Sequence, residues 1–81
     1  MINQNAQRKI GKNCKKFREN VLKITQKDVA EILGYSVQNI SAFECGRNNN
    51  NAIFLFYISE GLLNHYSVEE LIGWFDYELQ R

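Results

Sequence analysis

The sequence predicts an all-α domain built from five short helices. Three observations carry that expectation. No proline occurs among the 81 residues, although the turns of β-rich domains use it freely. Apolar residues recur at spacings of three and four, the helical period. Polar capping residues open the periodic stretches, and glycines close two of them.

The first helix is expected over about residues 6–20. Ile10, Cys14, Phe17 and Val21 form its apolar stripe, most of the bases fall off that stripe, and "NVLKI" breaks the pattern as a connection. Thr25 opens the second helix. Asp28 follows three residues later, so "TQKD" reads as a capping box with Asp in the Glu position. Val29, Ala30, Ile32 and Leu33 supply its apolar face, and Gly34 ends it. Ser36 caps the third helix, Ile40 and Phe43 point inward, and Gly46 closes it. Only "GYS" joins these two helices, which forces a steep crossing.

"RNNNN" reads as a loop. The run "AIFLFYISEGLL" suits a buried strand or a buried helix equally well by period. No second strand exists to pair with it, so a helix is expected, with Leu55, Ile58 and Leu62 inside. Ser67 and Glu70 make a capping box for the last helix. Its stripe is Val68, Leu71, Ile72, Phe75 and Leu79.

A chain of this length makes one domain, residues 1–81, with a small core. At 44% hydrophobic and 23% charged it has a globular composition. It holds no apolar run long enough to span a membrane, and its first ten residues resemble no secretory signal. A cytoplasmic protein is the expectation. Cys14, Cys45 and the single His65 have no metal-ligand spacing, so no metal or cofactor is expected, and the thiols read as small apolar residues. They also offer no nucleophile–base arrangement, and no phosphate-cradling glycine loop is present, which argues against an enzyme.

The net charge of +1 conceals an asymmetry. Residues 1–27 hold eight bases against one acid, whereas residues 28–81 hold two bases against eight acids. A basic segment on a near-neutral chain suggests a polyanion on one side. A solvated helix face would look the same.

Within "LGYSVQNISAFECGR", Ser36, Gln38, Asn39 and Ser41 are uncharged hydrogen-bonding residues where a merely soluble helix would carry Lys, Glu or Arg. The longer string "TQKDVAEILGYSVQNISAFECGR" resembles the helix-turn-helix of the phage-repressor, or XRE/Cro, family. The matches in register are Thr25-Gln26, Val29-Ala30, Leu33-Gly34, Ser36, Ile40-Ser41, Phe43-Glu44 and Gly46. "KKFRE" and "HYSVEELI" resemble the family's first-helix end and closing helix, so the likeness covers about residues 8–72. The sequence departs from the family pattern in an extra residue between Arg18 and Gln26, in Asn50 where many members have proline, and in a longer loop around Asn64.

The resemblance implies a compact five-helix, lambda-repressor-like DNA-binding domain, with the motif over about residues 25–46. It implies a sequence-specific transcriptional regulator, a dimeric repressor of phage, mobile-element or antitoxin type. Residues 36–45 become a recognition helix entering the major groove. Gln38 and Asn39 would pair with adenine, and Ser36 and Ser41 with base or phosphate. Val37 and Ala42 would meet a thymine methyl; Val37 equally suits a core edge, and Ala42 a plain helix former. Thr25, Gln26 and Lys27 at a helix start, and Arg47, Asn48 and Asn49 beyond the third helix, are the expected phosphate contacts. The asparagines equally suit a flexible loop. Arg18 would pair with Glu44 for structural reasons. "INQNAQRK" reads either as an arm touching DNA or as a disordered tail.

Family members usually bind two-fold DNA sites as homodimers. Phe54, Phe56, Tyr57, Trp74 and Tyr77 exceed what a small core can hide, so helices four and five, over about residues 52–80, are expected to dimerise through them. The other class in play is a protein-interaction module on the same fold, with an unnamed protein partner and weak DNA contact. The acidic C-terminal half keeps that class open.

Overall fold

The computed structural model describes residues 4–75. Among them five α-helices form, with no strand: α1 (Gln4–Phe17), α2 (Gln26–Leu33), α3 (Val37–Glu44), α4 (Asn51–Leu63) and α5 (Val68–Phe75). Helix α1 packs on α3 and α5, α2 on α3, and α4 on α5. One apolar cluster joins them, with Cys14, Phe17, Val29, Ile40, Phe43, Ile53, Tyr57, Leu71 and Phe75 fully enclosed.

The first connection differs from the sequence expectation. A π-helical extension, Arg18–Leu22, continues α1, so residues expected to break the helix lengthen it instead. A π turn takes one more residue than an α turn. That wider turn leaves Val21, Leu22 and Ile24 packed against the core. Lys23, at φ 55°, then ends it.

The caps of α2 and α5 close on both sides. Asp28 N–H donates to Thr25 Oγ1 at 3.1 Å while Thr25 N–H donates to Asp28 Oδ2 at 2.9 Å. Glu70 N–H and Ser67 Oγ, with Ser67 N–H and Glu70 Oε1, repeat the pattern at 3.1 and 2.8 Å. Gly34 stops α2 at φ 74°, and Tyr35 N–H reaches back to the Ala30 carbonyl at 2.9 Å.

Helix α4 buries a different face from the one its period suggested. Ile53, Phe56, Tyr57 and Gly61 face the core. Leu55 and Leu62 lie 62% and 46% exposed, and Leu63 70%. Gly61 marks the contact at one end: a Cβ there would stand 2.4 Å from Leu71 Cδ2, so a larger residue would push the buried Leu71 side chain aside. Ile32 of α2 and Val68 of α5, also expected inside, are exposed.

This reverses part of the expected dimer surface. Phe56 and Tyr57 are core residues. Phe54 is half-buried, with its ring edge-on to Phe75 at 5.7 Å. Trp74 is half-buried, edge-on to Phe17 at 5.3 Å. The small core holds more aromatics than counting suggested because Phe17 alone meets Tyr66, Trp74 and Phe75 edge-to-face. Tyr77 and Leu79 lie outside the described residues.

Candidate nucleic-acid interface

The start of α3 faces outward because its end faces inward. Ile40, Phe43 and Glu44 are buried. Ser36 caps the helix, its Oγ accepting Asn39 N–H at 3.2 Å. Val37, Gln38 and Asn39 are then exposed, whereas Ser41 and Ala42 are half-buried on the flank. Among the described residues the side chains of Gln38 and Asn39 make no hydrogen bond, so their donors and acceptors remain open to a ligand. Thr25 and Lys27 are exposed at the start of α2, and Gln26 is half-buried beside them.

Behind this surface one carboxylate collects four donors. Arg18 grips Glu44 in a fork, Nε to Oε2 at 2.8 Å and Nη2 to Oε1 at 3.0 Å. Tyr57 Oη donates to Oε2 at 2.5 Å, and Gln26 Nε2 donates to Oε1 at 3.0 Å. Arg18 Nη1 also donates to the Ile24 carbonyl at 2.9 Å. Burial alone would raise the Glu44 carboxyl, but the hydrogen bonds from Arg18, Tyr57 and Gln26 outweigh it and hold it below the ordinary 4.5. The Tyr57 hydroxyl is pushed up, first by burial and then by the carboxylate it serves.

Gln26 therefore has one amide proton committed inward. Its other N–H and its carbonyl oxygen are left for a contact at the start of α2. That helix start also carries Asp28, whose carboxyl is lowered by hydrogen bonds from Thr25, backbone first and then side chain. The fixed negative charge opposes an approaching phosphate, and exposed Lys27 beside it offsets part of that cost.

The loop after α3 is ordered. Gly46, at φ 78°, ends the helix, with Arg47 N–H donating to the Ala42 carbonyl at 2.8 Å and Gly46 N–H to Phe43 at 3.0 Å. Asn48 Oδ1 accepts Asn50 N–H at 3.3 Å, and Asn50 Oδ1 caps α4 by accepting Ala52 N–H at 2.9 Å and Ile53 N–H at 3.3 Å. Asn48 is half-buried and engaged both within the loop and, through its Nδ2, with the Asn39 carbonyl of α3 at 3.5 Å, while Arg47 and Asn49 are exposed. Asn50 was absent from the sequence-derived site, and Tyr57 was expected at the dimer surface, not on Glu44. Asparagine directly before an apolar run is a cap signal, and a phenol inside such a run needs a buried partner.

The supposed N-terminal arm is helical from Gln4 onward. Gln7 Nε2 donates to the Asn48 carbonyl at 3.1 Å, which staples α1 to the loop. Among the described residues no cluster of metal-ligating side chains occurs, and no helix is long and apolar enough to cross a membrane. Both cysteines are free, Cys14 buried and Cys45 exposed. Comparison with protein-family models, with curated proteins and with solved structures found no match to this chain.

Proposed function

We propose that the protein is a sequence-specific, double-stranded-DNA-binding transcriptional regulator. It acts as a dimeric repressor whose α2 and α3 form a helix-turn-helix of the lambda-repressor-like, XRE/Cro kind. The observation that carries this reading is the outward first turn of α3. Val37, Gln38 and Asn39 stand exposed, the last two with unused side-chain amides, on a helix anchored from behind by Glu44. Uncharged amides on a rigid helix suit base edges, which reward fixed bidentate geometry. Gln26, Lys27 and Arg47 flank that turn as contacts to phosphate, and Ser41 and Ala42 lie on its flank.

The dimer in this reading uses a surface other than the buried aromatics. The outer face of α4 carries Asn51, Leu55, Ser59, Leu62 and Leu63, all exposed and none charged. An uncharged face meets its own copy without like-charge cost. The same leucines would also serve a protein-interaction module, and this observation keeps that second reading in play.

Selection of bound sequences from random duplex DNA, near physiological salt, tests the choice. The expected outcome is a two-fold motif with half-sites about one helical turn apart. A folded protein that enriches no sequence would sink the regulator reading and leave the interaction module.

A further inference from the structure

The geometry points to a phosphate anchor outside α2 and α3: Arg8 of α1 and Arg47 of the following loop hold one strand of the DNA backbone together. This rests on the DNA-binding reading and extends it to a helix that reading does not use. The starting observation is Gly46. A Cβ at that position would stand 2.5 Å from Arg8 Cα and 2.5 Å from Arg8 Cγ. The backbone of the loop therefore lies directly on the backbone and stem of Arg8, and Arg47 is the next residue along.

Both arginines are placed by fixed neighbours. The two back-bonds that end α3 set the Arg47 backbone. The bond from Gln7 to Asn48 ties the preceding residue of α1 to the same loop. Both side chains are exposed, and neither has an acidic partner among the described residues. Two unneutralised guanidinium groups carried on adjoining backbone are each able to reach phosphate oxygens of a single strand.

The length of α3 places that pair. At eight residues, it measures about 12 Å, close to the width of the major groove. When its first turn reads bases, its far end comes level with a flanking phosphate strand. Gly46, Arg47 and Arg8 are at that end. Lys15 and Lys16, in the last turn of α1, are about two helical turns away from the junction.

The test is the salt dependence of binding to a short duplex of arbitrary sequence, because phosphate contacts are blind to sequence. Arg8→Ala and Arg47→Ala should each make the slope of log affinity against log salt shallower by about 0.9. Over a fourfold rise in salt, each variant then loses roughly 3.5-fold less affinity than the parent. Arg8→Gln, which keeps the stem under Gly46, should match Arg8→Ala, and Lys16→Ala should keep the parental slope. If both Arg8 variants keep the parental slope while the parent binds duplex in a salt-dependent way, Arg8 is no anchor and the DNA-binding reading survives. If the parent shows no salt-dependent binding, that reading falls and takes the anchor with it.

Discussion

Helices α3 and α4 follow one another in the chain and choose their buried faces by different means. In α3 the large apolar residues Ile40 and Phe43 share one side, so they point inward and the first turn, with Gln38 and Asn39, points out. In α4 apolar residues surround the helix, and no period selects a side. Its orientation is settled by two neighbours. Glu44 takes the Tyr57 hydroxyl, and Leu71 fills the space over Gly61. The comparison teaches that a helix with a polar remainder specifies its own face, whereas an apolar one has its face specified by its partners.

Breaking the partner should do the most damage. Glu44→Ala leaves Arg18 and Tyr57 without their shared acceptor, and the stranded buried charge should cost about 3–5 kcal/mol in denaturant unfolding. The same carboxylate sets an acid limit. Its folded-state pKa lies below the ordinary 4.5, so the unfolded chain binds its proton first as pH falls. The stability it contributes is complete above the unfolded value and declines as pH drops through the folded one. Unfolding measured against pH should therefore show an acid limb that Glu44→Gln flattens; a limb of equal depth in that variant would place the acid sensitivity elsewhere.

The two sides of α4 should respond unequally to truncation. Phe56→Ala opens a cavity against Tyr57 and the core and should cost about 3 kcal/mol. Leu55→Ala, one position earlier but 62% exposed, should stay within about 0.5 kcal/mol. Under the proposed dimer its effect should appear instead in sedimentation, as weaker self-association. Equal destabilisation by both substitutions would contradict the face assigned to α4.

This contrast also explains what the sequence disclosed. The capping pairs Thr25–Asp28 and Ser67–Glu70, the terminators Gly34 and Gly46, and the outward turn at residues 36–39 are local features, and local chemistry announces them. The buried face of α4 depends on Glu44 and Leu71, which are distant in sequence, so residues 51–63 alone pointed to Leu55 and Leu62. The aromatics were misread for a related reason. Counting Trp74 as surplus ignores edge-to-face packing around Phe17, which exists only once α1 and α5 meet, and counting Phe56 and Tyr57 ignores their packing with each other and with Phe43. The π turn after Phe17 was visible only as one residue too many between Arg18 and Gln26. Glu44 lies between these extremes: its pairing with Arg18 was expected through the family resemblance, but its service to Gln26 and Tyr57 was not.

The smallest stability effects separate the capping of α3 from the base reading proposed for its first turn. Ser36 is a cap, since its Oγ satisfies the Asn39 amide. Ser36→Ala should cost about 1 kcal/mol in unfolding and, under the proposed function, should weaken binding to every DNA sequence alike, by loosening the helix start. Gln38 is exposed and bonded to nothing among the described residues. Gln38→Ala should leave unfolding unchanged within about 0.5 kcal/mol. If Gln38 pairs with a base, its loss should remove roughly 1–3 kcal/mol of discrimination at one position of the selected site and leave the other positions alone. A uniform loss across all positions would assign Gln38 to the phosphate backbone. No loss anywhere would leave the proposed base reading to Asn39 and Val37, its exposed neighbours on the same turn.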